Sequence, residues 1–197
     1  MKYCFTHKPG AIATMRWRSL ASYLALACAT LGAVPALSAA EPAPGVVQAS
    51  EVAPGIAVAG QLREADLPLL KAQGYTRIIS LRPDGEGPGQ PSSAAMASAA
   101  QAQDLRFSYI PVRPGKIPDE AVEALRTALA GGSQRVLIYC RSGSRAARTW
   151  GLAEASRPGG RDATTILAAI RAAGQSADDL GEALSRRIAG RGDGIAQ

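Results

Sequence analysis

Histidine is nearly absent from this chain and cysteine is scarce. The single histidine is His7, and the three cysteines are Cys4, Cys28 and Cys140. The first forty residues lack any acid: they carry Lys2, Lys8, Arg16 and Arg18, then an apolar stretch over residues 20–37, then Ser38, Ala39 and Ala40 before Glu41. A basic start, an apolar middle and a small-residue end make a secretory signal, with cleavage expected after Ala40. Met15 would serve equally well as its start, and Ala25, Leu26 and Ala27 suit lipidation of Cys28 poorly. The apolar run is broken by Ser22, Thr30, Gly32 and Pro35. It falls short of the roughly 20 clean residues of a spanning helix, so no stable membrane insertion is expected after cleavage.

Cleavage would remove His7, Cys4 and Cys28. A mature chain without imidazole excludes histidine metal ligands, a Cys/His pair and a Ser/His/Asp triad. A single thiol excludes an internal disulfide, and it is unusual in the periplasmic or secreted setting that a signal implies. No metal and no cofactor is expected. The chemistry then falls to Cys140, arginines, carboxylates, hydroxyls and backbone groups.

The chain also lacks a strong charge bias once the signal is set aside. The four basic residues of the first forty, taken from 22, leave 18 against 16 acidic ones. That balance gives no reason to expect a nucleic-acid partner. With 47% hydrophobic and 19% charged residues and no internal repeat, the remainder reads as one soluble globular domain. Nothing in it specifies an oligomeric state.

Periodicity divides that domain into alternating strands and helices. Strands are expected within residues 46–58, interrupted by Pro54-Gly55, and over 75–81, 105–112 and 135–139. Helices are expected over 63–73, 94–103, 118–130 and 144–155, followed by a C-terminal pair over 162–173 and 176–187. Such alternation implies an α/β fold with a mainly parallel central sheet flanked by helices. Residues 41–56 form an extended entry segment, 57–188 the domain with its C-terminal helices, and 189–197 a tail expected to be disordered.

In such sheets ligands bind beyond the carboxyl ends of the strands, and the segment YCRSGSR (139–145) lies there. A strand delivers Cys140 to the edge, Gly143 permits a tight curve, a helix begins near Ser144 and Arg145 stands in its first turn. Together Arg141, Ser142, Gly143 and Ser144 make a cradle in which backbone N–H groups and the positive helix end attract a tetrahedral anion, with Arg145 as a two-pronged grip. The same field favours the thiolate of Cys140, the attacking form. The partner is therefore a small anionic or phosphorylated substrate. A free cysteine is most often a buried, inert hydrophobe; the arginine, glycine and helix start in this order argue for an active loop instead.

The blocks Gly60-Gln61, GYTRIISLRPDGEGPGQPSS, YIPVRPGKIPDEAVEAL, YCRSGSR and ILAAIRAAG occur in an order that resembles the phosphatase-like domain of bacterial beta-lactamase-hydrolase-like proteins, over residues 57–184. That family is related to the dual-specificity protein tyrosine phosphatases. The resemblance implies a phosphatase-type α/β fold, Cys140 as nucleophile and Arg145 as phosphate clamp. Two departures accompany it. Four residues separate Cys140 from Arg145, where tyrosine phosphatases have five, and CRSGSR is similar to the active loop of rhodanese sulfurtransferases. The chain lacks the Asp-x-Arg and Gly-His-Ile-Pro-Gly segments of true rhodaneses. Related phosphatases also carry a general-acid aspartate in the loop after the strand matching 109–112, and here that loop reads Arg113-Pro114-Gly115-Lys116. Asp84 is then the expected acid, with Glu86 an alternative and Asp119 read as a helix start.

The expected function is a cysteine-dependent phosphatase acting on a phosphomonoester through a phosphocysteine. The alternatives are a sulfurtransferase carrying a persulfide on Cys140, which needs no general acid, and a non-catalytic anion-binding module.

Overall fold

Short aliphatic runs form the strands of the computed structural model, which describes residues 47–131 and 134–191. β1 (Ala49–Ala53) and β2 (Ile56–Ala59) fold back on Pro54-Gly55 and pair antiparallel, with Gly55 at a φ of 75°. β3 (Arg77–Ser80), β4 (Arg106–Tyr109) and β5 (Val136–Tyr139) join in parallel, in the order β1-β2-β5-β3-β4. All four residues of β5 are buried, as befits a parallel strand covered on both faces.

Alternation along the strands sorts the core into two layers. On one face Ile78, Leu137 and Tyr139 pack with Leu67 and Leu70 of α1 (Leu67–Ala72) and Met96 and Ala100 of α2 (Ser93–Ala102). On the other, Val58, Ile79 and Ile138 meet α3 (Asp119–Leu129), α4 (Ser144–Ser156), α5 (Ala163–Ala172) and α6 (Gly181–Ala189), with Trp150 fully buried at their centre. The expected fold class is thus observed: a mostly parallel five-stranded sheet with helices on both faces. The chain enters α1 and α2 on one side of the sheet and α4 on the other. The carboxyl ends of β2, β5 and β3 therefore form the edge at which open α/β sheets bind ligands.

Two helices differ from the sequence reading. The helix over 63–73 splits into a 3-10 turn, Glu64–Asp66, and α1, because Asp66 Oδ2 accepts from Arg63 N at 2.6 Å and Pro68 offers no N–H to a longer helix. The last helix is likewise preceded by a 3-10 turn, Asp178–Leu180, tied outward by the Arg171–Asp178 and Arg148–Asp179 ion pairs, and it runs on to Ala189. The strands expected within residues 46–58, broken at Pro54-Gly55, are β1 and β2. The signal over 1–40 and most of the tail, 192–197, lie outside the described residues.

At the far end of α4, Glu154 is buried and accepts from Arg157 Nε and Nη2 (3.0 and 2.7 Å) and from the backbone N and Nη1 of Arg161 (3.1 and 3.2 Å). Burial alone would raise its pKa, but the bonds and charges of Arg157 and Arg161 outweigh burial and hold it below the ordinary glutamate value. A carboxylate depressed in the folded state contributes stability above its unfolded pKa and loses it as pH falls through the folded one. Glu154→Gln is therefore expected to cost about 1–3 kcal/mol at neutral pH. The difference from wild type should shrink below about pH 4. Denaturant unfolding across that range measures it, and a gap that stays constant with pH would contradict the assignment.

Candidate functional site

The active loop begins where β5 ends. Cys140 N donates to Ala59 O at 3.3 Å, extending the ladder with β2 by one residue, and the side chain of Cys140 is fully buried. The chain then turns through Arg141 and Ser142, both exposed, to Gly143 at the head of α4. Gly143 has a φ of 92°, and a Cβ there would stand 3.0 Å from the Gln175 amide, so this position takes glycine on two grounds. Its N–H donates to Cys140 Sγ at 3.2 Å. Next to it the loop after β2 is drawn close: Gln61 N donates to Arg141 O at 3.2 Å, and a Cβ on Gly60 would lie 3.4 Å from that same carbonyl.

Arg145, in the first turn of α4, is half-buried and held from two directions. Its Nη1 and Nη2 donate to Glu86 Oε2 and Oε1 at 2.8 and 2.6 Å, and Nη1 donates also to Val112 O at 2.6 Å. A guanidinium has five N–H donors. Three are used here, which leaves the Nε–H and one Nη2–H, the side-on pair that matches two oxygens of a tetrahedral anion. Glu86 thus fixes the end of the guanidinium and leaves one edge for a ligand.

Glu86 is itself braced by a second arginine. Arg82, two residues after β3, is only 7% exposed, and its Nη1 donates to Gln61 Oε1 at 2.6 Å. Its Nε has no hydrogen-bond partner and lies 3.8 Å from Glu86 Oε2, beyond hydrogen-bond reach. Gly87 closes over it, since a Cβ there would be 2.8 Å from Arg82 Nη2. Gln61, Arg82, Glu86 and Arg145 thus line up at the carboxyl edge, joined by hydrogen bonds except between Arg82 and Glu86, which meet as an ion pair.

Of the site residues expected from sequence, the structure brings Cys140, Gly143 and Arg145 together on one loop and helix start. Arg141 and Ser142 flank them in the open, and Ser144 is half-buried at the helix start. Asp84 is bonded at the head of α2. Its Oδ1 accepts from Ser93 N at 2.7 Å and its Oδ2 from Ser93 Oγ at 2.6 Å, so it holds the start of α2 while Glu86, two residues on, reaches Arg145. Gly85, at a φ of 72°, turns the chain between the two acids. Asp119 is paired with Arg187, and Arg148 is turned to Asp179 with two bonds of 2.6 Å. Burial opposes the charged form of Arg148 less than its bond to Asp179 favours it, so its pKa is raised, and that of Asp179 is lowered by the same bond.

Sequence reasoning missed Arg82 and the role of Gln61. The part that was legible is local: a charged residue two positions beyond a buried parallel strand is delivered to the carboxyl edge.

The model of the family described as beta-lactamase hydrolase-like protein, phosphatase-like domain, matches residues 49–157, a segment that contains Cys140 and Arg145. A beta-lactamase hydrolase-like protein of Agrobacterium fabrum is 40% identical over 98 residues, 50% of this chain and 23% of that protein. One from Xylella fastidiosa is 36% identical over the same length. The aligned part of the chain thus spans about a quarter of those relatives, 23% in each. Among solved structures, a candidate phosphatase from Neisseria meningitidis superposes with a TM-score of 0.61 at 27% identity, covering 70% of this chain and 96% of that one. The catalytic domain of the PP-IP phosphatase Siw14 from S. cerevisiae, at 19% identity and a TM-score of 0.52, covers 74% of this chain and 92% of its own, and shares the fold.

Proposed function

The chain belongs to the family of beta-lactamase hydrolase-like protein, phosphatase-like domains, and from that premise we propose that it is a cysteine-dependent phosphatase acting on small anionic phosphomonoesters through a phosphocysteine on Cys140. The observation that carries the reading is the donor geometry of Arg145. Glu86 and Val112 O take three of its N–H groups and leave a side-on pair, on the same helix turn that places Gly143 N–H against the Cys140 sulfur. In this mechanism the thiolate of Cys140 attacks phosphorus. Arg145 and the backbone amides of Arg141, Ser142, Gly143 and Ser144 hold the equatorial oxygens as charge develops on them. Water then cleaves the P–S bond and restores the thiolate.

Release of 4-nitrophenol from 4-nitrophenyl phosphate by the reduced protein tests the reading. No release above that of a boiled control would sink it. Glu86→Gln is expected to lower kcat/KM for this substrate by about 10- to 100-fold, the worth of a hydrogen bond to a charged group. The loss should lie mainly in KM if Glu86 sets the geometry of the anion grip, and steady-state kinetics separates the two constants.

Sulfur transfer is the second reading, favoured by one observation. Asp84 and Glu86 are both engaged with protein donors, and passing sulfur from thiosulfate to Cys140 as a persulfide expels sulfite without a proton donor. The four-residue spacing between Cys140 and Arg145 accords with it. Either reaction is set in the periplasm or outside the cell, a setting that the leader-like residues 1–40 support and that the mass of the mature chain tests.

A further inference from the structure

Five loops border the carboxyl edge of the sheet around Cys140: residues 60–63, 81–92, 110–118, 140–143 and, packed on the active loop through Gln175, 173–177, after which Asp178 and Asp179 pair with Arg171 and Arg148. Together they contain two carboxylates, Asp84 and Glu86, and both are spoken for. Asp84 spends one oxygen on Ser93 N and the other on Ser93 Oγ; Glu86 spends both on Arg145. Asp119, at the head of α3 just beyond the third loop, is paired with Arg187. That third loop carries Arg113 and Lys116, both exposed, and no acid. A general acid must come within hydrogen-bond reach of the leaving atom with a proton to give. Both loop carboxylates are thus already bonded to protein donors, and the side chains the rim leaves exposed toward a departing anion include the cations Arg113 and Lys116.

We propose that the leaving group departs from this site as a stable anion without being handed a proton, so that its substrates are aryl phosphates, acyl phosphates or phosphoanhydrides rather than alkyl esters such as phosphoserine or sugar phosphates. The inference rests on the phosphocysteine chemistry of the phosphatase reading above and sets its substrate class by the leaving group, which takes it beyond esters to anhydrides. In the first step the S–P bond of the phosphocysteine forms as the P–O bond to the leaving group breaks. The electron pair leaves on that oxygen, which stays an anion or takes a proton from bulk water. In the second step water adds to phosphorus, the P–S bond breaks, Cys140 recovers its electron pair as thiolate, and the water's proton passes to solvent.

The test is a leaving-group series with the reduced protein: 2,4-dinitrophenyl, 4-nitrophenyl and phenyl phosphate, an alkyl phosphate, and acetyl phosphate as a non-aryl activated substrate. kcat/KM is expected to fall steeply along the esters. The alkyl phosphate should lose at least the 10²- to 10⁴-fold that a general acid would have supplied, on top of its intrinsic disadvantage. Acetyl phosphate should be turned over with the activated aryl esters. A profile flat to within about tenfold across the esters would overturn the inference and leave the phosphatase reading standing. Asp84→Asn closes a gap: if the wild-type profile is shallow and this variant steepens it, Asp84 is the proton donor and the inference is wrong. No turnover of 2,4-dinitrophenyl phosphate or acetyl phosphate would overturn both the inference and the phosphatase reading.

Discussion

Cys140→Ser is expected to abolish turnover of activated phosphates, a loss of about 10⁴-fold or more for a group that forms the covalent intermediate, while leaving anion binding intact. Two features separate the effects. The sulfur is fully buried and takes one hydrogen bond, from Gly143 N–H, and a serine oxygen accepts that bond equally well. The cradle should survive the change, and the smaller atom removes a nucleophile without adding bulk. An unactivated hydroxyl is a far weaker nucleophile than a thiolate, and the described residues contain no histidine to activate it. Steady-state kinetics reads the lost activity. The rise in melting temperature on adding inorganic phosphate reads the retained binding. Activity above about a tenth of wild type would show that the sulfur is not the attacking atom.

The second large effect is expected from Arg145→Lys, which keeps the charge and discards the fork. kcat/KM should fall by about 10²- to 10³-fold, the loss seen when a preorganised donor to a developing oxyanion is removed. Arg145 serves Glu86, Val112 O and, on the reading above, two oxygens of the anion. An ammonium has three N–H groups on one nitrogen and no planar edge. Glu86, half-buried and shared with Arg82, would compete for it, and little would remain for the ligand. The phosphate-induced rise in melting temperature should therefore vanish in Arg145→Lys but persist in Cys140→Ser. A lysine variant that still binds phosphate like wild type would show that charge alone, not bidentate geometry, makes the cradle.

The positions of β3, β4, β5 and α2 to α5 were legible to within a few residues, because each combines a clear periodicity with a glycine, proline or cap at its end. Ser92, for instance, accepts from Ala95 N at 3.1 Å and Asp162 from Thr165 N at 2.9 Å, as helix-start residues should. Cys140 and Arg145 were legible for a different reason: strand, tight glycine and helix start follow one another without a gap, so their geometry is local. The choice between Asp84 and Glu86 was not. Two acids in one Gly/Pro loop are equivalent in sequence, and the left-handed turn at Gly85 together with the long-range pull of Arg145 decides which faces inward. Arg82 escaped notice for the same reason, since its partner Gln61 is 21 residues away and the two meet only across the sheet.

The strand order carries a consequence for how the chain reaches its native state. β5 lies between β2 and β3, yet it follows both in sequence, Val136 coming 77 residues after Ala59 and 56 after Ser80, the last residues of those strands. Until Val136–Tyr139 arrives, β1–β2 and β3–β4 are two separate ribbons, each with an apolar edge open to whatever strand meets it first. Closing the sheet is a late, non-local event of the kind that slows folding and exposes intermediates to aggregation. Since Cys140 is the next residue after that closing strand, the nucleophile is installed by the same insertion that completes the fold. A nascent chain would hold no working cradle before its structural keystone is in place.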